Sequence, residues 1–381
     1  MIFPISKFKD IETPFYYYDL DLLKATLKEI NANIEGVPYK VHYAIKANAN
    51  ECILKTIKDA GLGVDCVSGG ELKAAVEAGF EGGKIVFAGV GKTDKEINVG
   101  IDNDILCFNV ESLPEMEVIN ELAAKKGKVM NVAIRVNPNI DAHTHKYITT
   151  GLSENKFGVN LDQLESVIDA TLKMPNVRLC GLHFHIGSQI LDTAPFVMLC
   201  DKVNQLQDQL EDRGVKLTTI NVGGGLGIDY DNPDGAAITD FKAYFDTFKE
   251  HLKLREGQEL HFELGRSVVA QCGALITRVT YVKCGSVKKF VIVDAGMTDL
   301  IRPALYQAHH KIENITADTR ATDVYDVVGP VCESSDCFGT DEHLAVTHRG
   351  DMLALRSAGA YGEIMASRYN CRELPKAVYS E

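Results

Sequence analysis

Lys46 closes an apolar run over residues 41–46 and is a candidate covalent amine. An ammonium at the end of a buried strand is partly desolvated, which lowers its pKa and favours the neutral amine. A neutral lysine amine can condense with an aldehyde and so begin covalent catalysis. The competing interpretation is a solvated lysine at a strand end, so the chemical reading needs support from other residues.

Residues of the kinds used in catalysis follow the later apolar runs in the same way. They are Asp65, Ser68, Asn109, Arg135, His183, His185, the Gly223-Gly224-Gly225 turn and Glu263. Pyridoxal phosphate is an aldehyde that needs an amine, a phosphate cradle, a partner for its pyridine nitrogen, a stacking face and a proton donor. The glycine turn suits the phosphate, because backbone N–H groups can approach an anion closely there, and Glu263 suits the ring nitrogen. A plain glycine loop and a surface carboxylate are the competing interpretations.

Eight short β-rich runs alternate with amphipathic stretches in this part of the chain. The runs are 41–45, 63–67, 85–88, 106–109, 132–136, 179–185, 219–222 and 260–263. The stretches with apolar residues three and four apart are 51–60, 70–78, 112–125, 162–173, 194–213 and 239–252. This alternation predicts an α/β fold with parallel strands, a (β/α)8 TIM-like barrel, with an open doubly wound sheet as the alternative. Barrel chemistry lies at the C-terminal strand ends, where the residues above fall.

The pattern changes after Glu263. Strand-like runs at 274–282, 288–294, 323–328 and 352–355 are separated by turns and short helical pieces. They predict a C-terminal, mainly β domain, and the strand-like run at 15–19 is expected to complete it. The predicted organisation is a barrel over residues 21–265 and a β domain formed by 1–20 and 266–381.

The composition is that of an ordinary folded chain. Its 381 residues are 45% hydrophobic and 24% charged, a length that usually divides into two domains. The net charge of -13 argues against a nucleic acid partner. The N-terminus lacks the apolar core of a signal peptide, no run approaches the ~20 apolar residues of a membrane span, and the ten cysteines include no Cys-x-x-Cys pair. These features predict a reduced, cytoplasmic protein without a membrane partner.

Two histidine pairs have spacing that suits metal binding. His183 and His185 are two residues apart, so they would share one side of a strand. His143 and His145 have the same spacing but lie in a polar loop. Neither pair has a third ligand at a suitable spacing, and no metal is predicted.

Several segments occur in the order found in one enzyme family. They are residues 44–48, 183–189, 223–227, 263–266, 301–306, 329–334 and 359–361. Over essentially the whole chain the sequence resembles the fold-type III pyridoxal phosphate decarboxylases. It is most similar to the branch that converts meso-2,6-diaminopimelate to L-lysine and carbon dioxide at the end of lysine biosynthesis. Leu264 stands where the family usually has proline, and because leucine can adopt the φ of about −65° that proline enforces, the turn is expected to survive.

The resemblance implies a role for each matched residue. Lys46 would bind the cofactor as a Schiff base, His185 would stack on its ring, and Glu263 would pair with the ring nitrogen. The implied cofactor-binding set also contains Asp65, Ser188, Gly224, Gly225, Gly265, Arg266 and Tyr361. Cys332 would protonate the substrate and would come from the partner subunit, which implies a homodimer with shared active sites. A buried, inert thiol is the competing interpretation of Cys332.

The implied substrate carries an amino acid group at each end. Its distal carboxylate needs a cationic clamp and its distal ammonium needs an anion. The resemblance implies that Arg266 and Arg302 bind the carboxylate, that Glu333 binds the ammonium, and that Tyr306 and Tyr361 also contact the substrate. Arg302 in a salt bridge at the dimer interface is the competing interpretation.

Other functions stay open at this point. An ornithine or lysine decarboxylase has no distal carboxylate to bind and would gain nothing from Arg302. A carboxynorspermidine decarboxylase is disfavoured by residues 47–48 and by Arg302. An amino-acid racemase of this fold would use a tyrosine as its second base, and a non-catalytic pyridoxal-binding barrel would be shorter and lack the β domain. Residues 329–336 argue against both of these.

Overall fold

The structure is a computed structural model that describes residues 1–140 and 156–380. His143 and His145 lie outside the described residues. Packing divides the chain into two units, the barrel unit (27–227 and 240–265) and the β unit (1–26, 228–239 and 266–381). The domain boundaries expected from the sequence stay a prediction.

The regular elements are numbered in chain order. The strands are β1 (Phe15–Tyr18), β2 (Tyr39–Ala44), β3 (Gly63–Cys66), β4 (Ile85–Phe87), β5 (Cys107–Val110), β6 (Met130–Asn137), β7 (Val159–Asn160), β8 (Val177–His183), β9 (Thr219–Asn221), β10 (Glu259–Leu264), β11 (Gly273–Cys284), β12 (Lys289–Val293), β13 (Ile312–Asn314), β14 (Thr322–Val328), β15 (Cys337–Ala345), β16 (Met352–Leu355) and β17 (Lys376–Tyr379). The α-helices are α1 (Ile5–Phe8), α2 (Leu20–Ile34), α3 (Glu51–Asp59), α4 (Gly69–Glu77), α5 (Asp94–Asp102), α6 (Leu113–Lys125), α7 (Leu161–Thr171), α8 (Ala194–Asp212), α9 (Phe241–His251), α10 (Arg266–Val269) and α11 (Arg302–Tyr306).

Eight described strands of the barrel unit, β2 to β6 and β8 to β10, form a closed parallel ring. Strand β10 pairs with β2, and β5 pairs with β6, so no edge is left open. Strands such as Ile85–Phe87 are buried along their whole length, as expected for a parallel sheet covered by helices. The ring confirms the predicted (β/α)8 barrel, and the open-sheet alternative is wrong.

The helices that follow the barrel strands begin at side-chain caps. Asn50, Ser68 and Ser112 accept backbone N–H bonds at the starts of α3, α4 and α6. Thr93 and Glu96 form a reciprocal capping box at α5. Ser68, counted among the chemical residues from sequence, therefore has its hydroxyl engaged in a helix cap. None of the described helices combines the length and apolar character needed to cross a membrane.

The β unit contains a sheet with the order β13, β16, β11, β12, β14, β15. Strand β1 joins this sheet, running antiparallel to β11 and parallel to β17. Its core is apolar and includes Phe8, Phe15, Tyr17, Ala274, Ile276, Met352 and Ala354. The prediction that the N-terminal segment completes a mainly β domain is confirmed.

Candidate active site

Lys46 lies in a short 3₁₀ turn, Ile45–Ala47, that follows β2. The strand ends at Ala44, one residue before the end of the run predicted over 41–45, and Lys46 follows it in this turn. Its Nζ lies 3.8 Å from Oδ2 of Asp65 on β3. The lysine side chain is 38% exposed and the Asp65 side chain is 0% exposed. The amine is therefore accessible, while its counter-ion is shielded from solvent.

Asp65 depends on that lysine. Neither of its carboxylate oxygens has a hydrogen bond among the described residues. Burial raises the pKa of Asp65 well above its usual range, the negative charge of Glu263 raises it further, and Lys46 opposes the rise. Because a buried carboxylate is stable as an anion only beside a cation, the pair holds Lys46 and Asp65 together.

Glu263 is a buried carboxylate on β10 with three side-chain partners. Asn109 and Asn221 donate from Nδ2 to Oε1 over 2.9 and 2.8 Å, and His183 Nε2 lies 2.9 Å from Oε2. Burial alone would raise the pKa of Glu263, but His183 and then Lys46 outweigh it and hold the pKa well below its ordinary value. The group is therefore an anion that can hold a protonated ring nitrogen.

Asn221 is a functional residue that sequence reasoning missed. Its amide donates to Glu263, and its Oδ1 accepts a bond from the backbone N of Gly223 over 2.9 Å. It therefore links the carboxylate to the glycine turn. The signal was available, because Asn221 stands between Ile220 and Val222, where a buried amide must find a polar partner.

The glycine turn after β9 leaves no room for side chains. Gly223 and Gly225 have φ values of 69° and 117°. A Cβ on Gly224 would lie 2.1 Å from the carbonyl oxygen of Glu263, so that position requires glycine. The backbone N of Gly224 donates to Nδ1 of His185 over 3.2 Å. This bond fixes the imidazole next to the turn.

His185 is neutral in this setting. Burial lowers its pKa well below the usual range, and the positive charges of Lys46 and Arg135 lower it further. The ring thus presents an uncharged aromatic face. Arg135 itself is engaged elsewhere, because its Nη1 lies 2.8 Å from Oε1 of the buried Glu111.

Pyridoxal phosphate fits this set of groups. Lys46 offers the amine for its aldehyde, Glu263 the anion for its ring nitrogen, and His185 a neutral face for its ring. The glycine turn has no side chains that would keep an anion away from its backbone N–H groups, which is what a phosphate site requires. Two further predicted positions lie in the same unit: Ser188 follows β8 and is partly buried, and a Cβ on Gly265 would lie 3.1 Å from the Cβ of Ala47.

The β unit holds a second cluster, formed by Arg266, Arg302, Tyr230 and Tyr361. Nη1 of Arg266 donates to the hydroxyl of Tyr230 over 2.7 Å, and its guanidinium lies 4.9 Å from the Tyr361 ring centre. The guanidinium of Arg302 lies 4.7 Å from the Tyr230 ring centre. Tyr230 was not anticipated from sequence, where it reads as an ordinary loop tyrosine. Tyr306 ends α11 and is partly buried.

Arg302 is a buried cation, only 5% exposed. Burial lowers its pKa, but an arginine remains protonated in proteins. Among the residues that the structure describes, no carboxylate of the same chain forms an ion pair with it, and the competing interpretation of a salt bridge at a dimer interface stays untested. Because a desolvated charge needs a counter-charge, this guanidinium is suited to an anionic ligand.

Cys332 and Glu333 lie on an exposed loop of the β unit. Asp336 shapes that loop, because its carboxylate accepts bonds from the backbone N of Val331 and of Met297, each over 2.6 Å. Oε2 of Glu333 accepts a bond from Ser335 over 3.2 Å. The interpretation of Cys332 as a buried, inert thiol is wrong, since the structure classes it as exposed.

Comparison with known proteins identifies the family. A family model described as "Pyridoxal-dependent decarboxylase, pyridoxal binding domain" matches residues 20–270. A diaminopimelate decarboxylase of Bacteroides thetaiotaomicron is 62% identical over 381 residues, which is 100% of this chain and 98% of the relative. Another, from Neisseria meningitidis, is 43% identical over 361 residues, 94% of this chain and 87% of the relative.

Solved structures indicate the same family as the sequence relatives. Diaminopimelate decarboxylase from Helicobacter pylori, complexed with L-lysine, matches with a TM-score of 0.93 and 41% identity over 99% of this chain and 94% of that chain. Lysine decarboxylase from Selenomonas ruminantium matches with a TM-score of 0.85 at 22% identity, which shows the fold alone. The chain belongs to the pyridoxal-dependent decarboxylases, and among them to the diaminopimelate decarboxylase family. The resemblance found in the sequence is thereby confirmed, and the racemase and non-catalytic alternatives are wrong.

Proposed function

We propose that this protein decarboxylates meso-2,6-diaminopimelate to L-lysine and carbon dioxide with pyridoxal phosphate as its cofactor. The observation that carries the chemistry is Glu263, a buried carboxylate kept ionised by His183 and Lys46. The substrate follows from the relatives, since full-length proteins that are 62% and 43% identical carry the name diaminopimelate decarboxylase.

In this proposal the barrel unit holds the cofactor. Lys46 binds it covalently through the amine, with Asp65 as the lysine's fixed counter-ion. Glu263 holds a proton on the ring nitrogen, His185 covers the ring face, and the turn at 223–225, with Ser188, binds the phosphate. When bound, pyridoxal phosphate supplies an electron sink for the charge left on carbon as carbon dioxide departs.

The β unit recognises the end of the substrate that does not react. Arg302 and Arg266 bind the distal carboxylate, because a guanidinium forms paired, charge-assisted bonds with that group. Glu333 binds the distal ammonium, and Tyr306 and Tyr361 complete the recognition set. The buried Arg302 supports this assignment, because among the described residues no carboxylate forms an ion pair with it.

Cys332 delivers the proton that replaces carbon dioxide on the substrate carbon. Its exposed loop supports a role across a subunit boundary, so we assign it to the active site of the partner subunit in a homodimer. The ten cysteines are free thiols in the described chain, which supports a reducing compartment, and we place the enzyme in the cytoplasm.

The direct test is incubation of the cofactor-loaded protein with meso-diaminopimelate while carbon dioxide and L-lysine are measured. Equal amounts of both products are expected, with little carbon dioxide from ornithine or L-lysine supplied instead. A faster reaction with ornithine or L-lysine would overturn the proposed substrate. Absence of carbon dioxide from all three amino acids would overturn the proposed activity.

A further inference from the structure

His310 contacts Arg302 directly and is completely buried, at 0% exposure. Its Nε2 lies 2.6 Å from Nη1 of Arg302, and its Nδ1 lies 2.8 Å from the backbone carbonyl oxygen of Arg356. Its ring also packs edge-on against Tyr230, with 5.1 Å between the ring centres. His310 therefore touches both the guanidinium and the aromatic ring on which the guanidinium rests.

The two hydrogen bonds define the protonation of His310. A carbonyl oxygen can only accept, so Nδ1 must carry the hydrogen that bonds to Arg356. A guanidinium can only donate, so Nε2 must carry the lone pair that accepts from Arg302. The ring is therefore the neutral Nδ1–H tautomer. Burial and then the charge of Arg302 lower the pKa of His310 to about 3, in agreement with that assignment.

Arg356 gives His310 a rigid anchor. Its guanidinium forms ion pairs with Asp234 over 2.6 Å and with Glu313 over 2.7 Å. Its backbone N also donates to the carbonyl of Lys311 over 2.8 Å. Two ion pairs and one backbone hydrogen bond therefore fix Arg356, whose carbonyl accepts the hydrogen bond from His310.

Because His310 is neutral, it differs from an acidic partner in its effect on the charge of Arg302. Aspartate or glutamate in place of His310 would orient Arg302 equally well, but it would also neutralise the guanidinium. The imidazole fixes the direction of one N–H bond and leaves the positive charge uncompensated. Held this way, Arg302 is oriented before an anion arrives, which lowers the entropy lost on binding.

We propose that His310 is a positioning residue that orients Arg302 toward the distal carboxylate of the substrate. This inference rests on the proposed function, in which Arg302 is the carboxylate clamp. The reaction product offers a probe, because L-lysine keeps the amino acid end of the substrate that does not react. Cadaverine is L-lysine without its carboxylate, so the ratio of the two affinities measures carboxylate recognition alone.

The experiment measures binding of L-lysine and of cadaverine to the cofactor-loaded enzyme by calorimetry. His310→Asn keeps a donor near the Nδ1 position but cannot reach Arg302, whereas His310→Gln places an amide oxygen near the Nε2 position. The asparagine variant should lose L-lysine affinity roughly 10- to 100-fold, as for the loss of one hydrogen bond to a charged group, with cadaverine unchanged. The glutamine variant should recover most of that loss.

Steady-state kinetics give a second readout. In His310→Asn the KM for diaminopimelate should rise while kcat is largely retained, because the residue does not touch the reacting carbon. His309→Asn is the matched control: this neighbouring histidine is 43% exposed and contacts Asp231 and Glu342 instead. It should leave the affinity ratio and the KM unchanged.

The binding measurements separate failure of the carboxylate clamp from failure of the positioning role. If wild-type enzyme binds cadaverine as tightly as L-lysine, the proposed carboxylate clamp itself fails. If wild type prefers L-lysine and a folded His310→Asn variant keeps that preference, the clamp stands and the positioning role is overturned. Should the asparagine variant not fold, as judged by circular dichroism, His310→Met replaces it, because methionine fills the space without a strong acceptor. A retained preference in that variant would also overturn the proposal.

Discussion

Glu263 in the barrel unit and Arg302 in the β unit are both buried charges held by nearby polar and aromatic side chains. Two amides and an imidazole hold Glu263, while an imidazole and a tyrosine ring hold Arg302. The difference is in the counter-charge. Lys46, in the same unit, helps keep Glu263 ionised, whereas no described carboxylate pairs with Arg302. The barrel site therefore contains its own counter-charge, whereas the proposed arginine clamp would obtain its counter-charge from the substrate.

The largest expected effect comes from removing the barrel's cation. Lys46→Ala should abolish turnover, because the covalent amine is lost. Lys46→Arg keeps a cation beside Asp65 without a condensing amine, and it should be equally inactive yet more stable than the alanine variant. Borohydride reduction of wild-type enzyme followed by peptide mass spectrometry should find the cofactor on Lys46. Label on another lysine would contradict the assignment.

Glu263→Gln removes the anion while preserving its shape. We expect a loss of roughly 10²-fold or more in kcat with the cofactor still bound, in the range of a removed electrostatic stabiliser. Glu259→Gln, on the same strand with a side chain 47% exposed, is the matched control and should keep wild-type kcat. Stopped-flow absorbance and steady-state rates check both variants, and a fully active Glu263→Gln would exclude this residue as the nitrogen partner.

Arg302→Met removes the cation that lacks a counter-charge. The lost contact with a desolvated carboxylate should cost about 2 kcal/mol or more, which is roughly a 30-fold rise in KM. Stability should fall little or even rise, because an unpaired buried charge disappears. Urea unfolding and KM measurement test the two halves of this prediction. A large loss of stability with an unchanged KM would make Arg302 a structural residue.

Mixing two inactive variants tests whether each active site combines residues from both subunits of a dimer. If Lys46 and Cys332 of one site come from different subunits, then Lys46→Ala combined with Cys332→Ala gives mixed dimers with one intact site. About half the dimers should be mixed, so activity should approach about a quarter of wild type. Each variant alone, taken through the same dissociation, must stay inactive. No recovery after proven exchange of differently tagged chains would place both residues in one subunit.

The smallest expected effect is on stability in mild acid. The pKa of His310 is lowered to about 3 from 6.5, so the unfolded chain binds the extra proton first as pH falls below 6.5. The stability contributed by this histidine is therefore present above pH 6.5 and is lost on acidification, by about 2 kcal/mol between pH 6.5 and pH 5. The difference in unfolding free energy between wild type and His310→Gln should shrink by that amount. A difference that does not change with pH would contradict the lowered pKa of the buried His310.

The sequence was sufficient to predict the barrel and to place most of its candidate site residues near the ends of its strands. An apolar run as short as 85–88 favours a buried strand over a helix, and polar residues that follow such strands gather at one end of a parallel barrel. The sequence was insufficient where a strand consists largely of polar residues. Strand β15 is largely polar, and only Phe338 and Leu344 in it are buried, so it gave no strand signal, although it forms an edge of the β sheet.

The missed site residues share one cause. Asn221, Tyr230 and His310 act through partners that are distant in sequence, and where a local pattern does indicate burial, as at Asn221, it does not identify the partner. His310 contacts the carbonyl of Arg356, 46 residues later, and Asn221 bonds to Glu263, 42 residues later. Only tertiary packing brings such groups together.

Strand β1 lies between β11 and β17 in the finished sheet. During synthesis β1 leaves the ribosome first, and β11 follows only after the whole barrel has been made. At ordinary rates this interval lasts roughly 10 to 50 seconds, during which the four aromatic residues Phe15–Tyr18 have no strand to pair with. During that time the nascent chain contains an unpaired aromatic strand. Chaperones or a neighbouring nascent chain can bind this strand before its own sheet has formed.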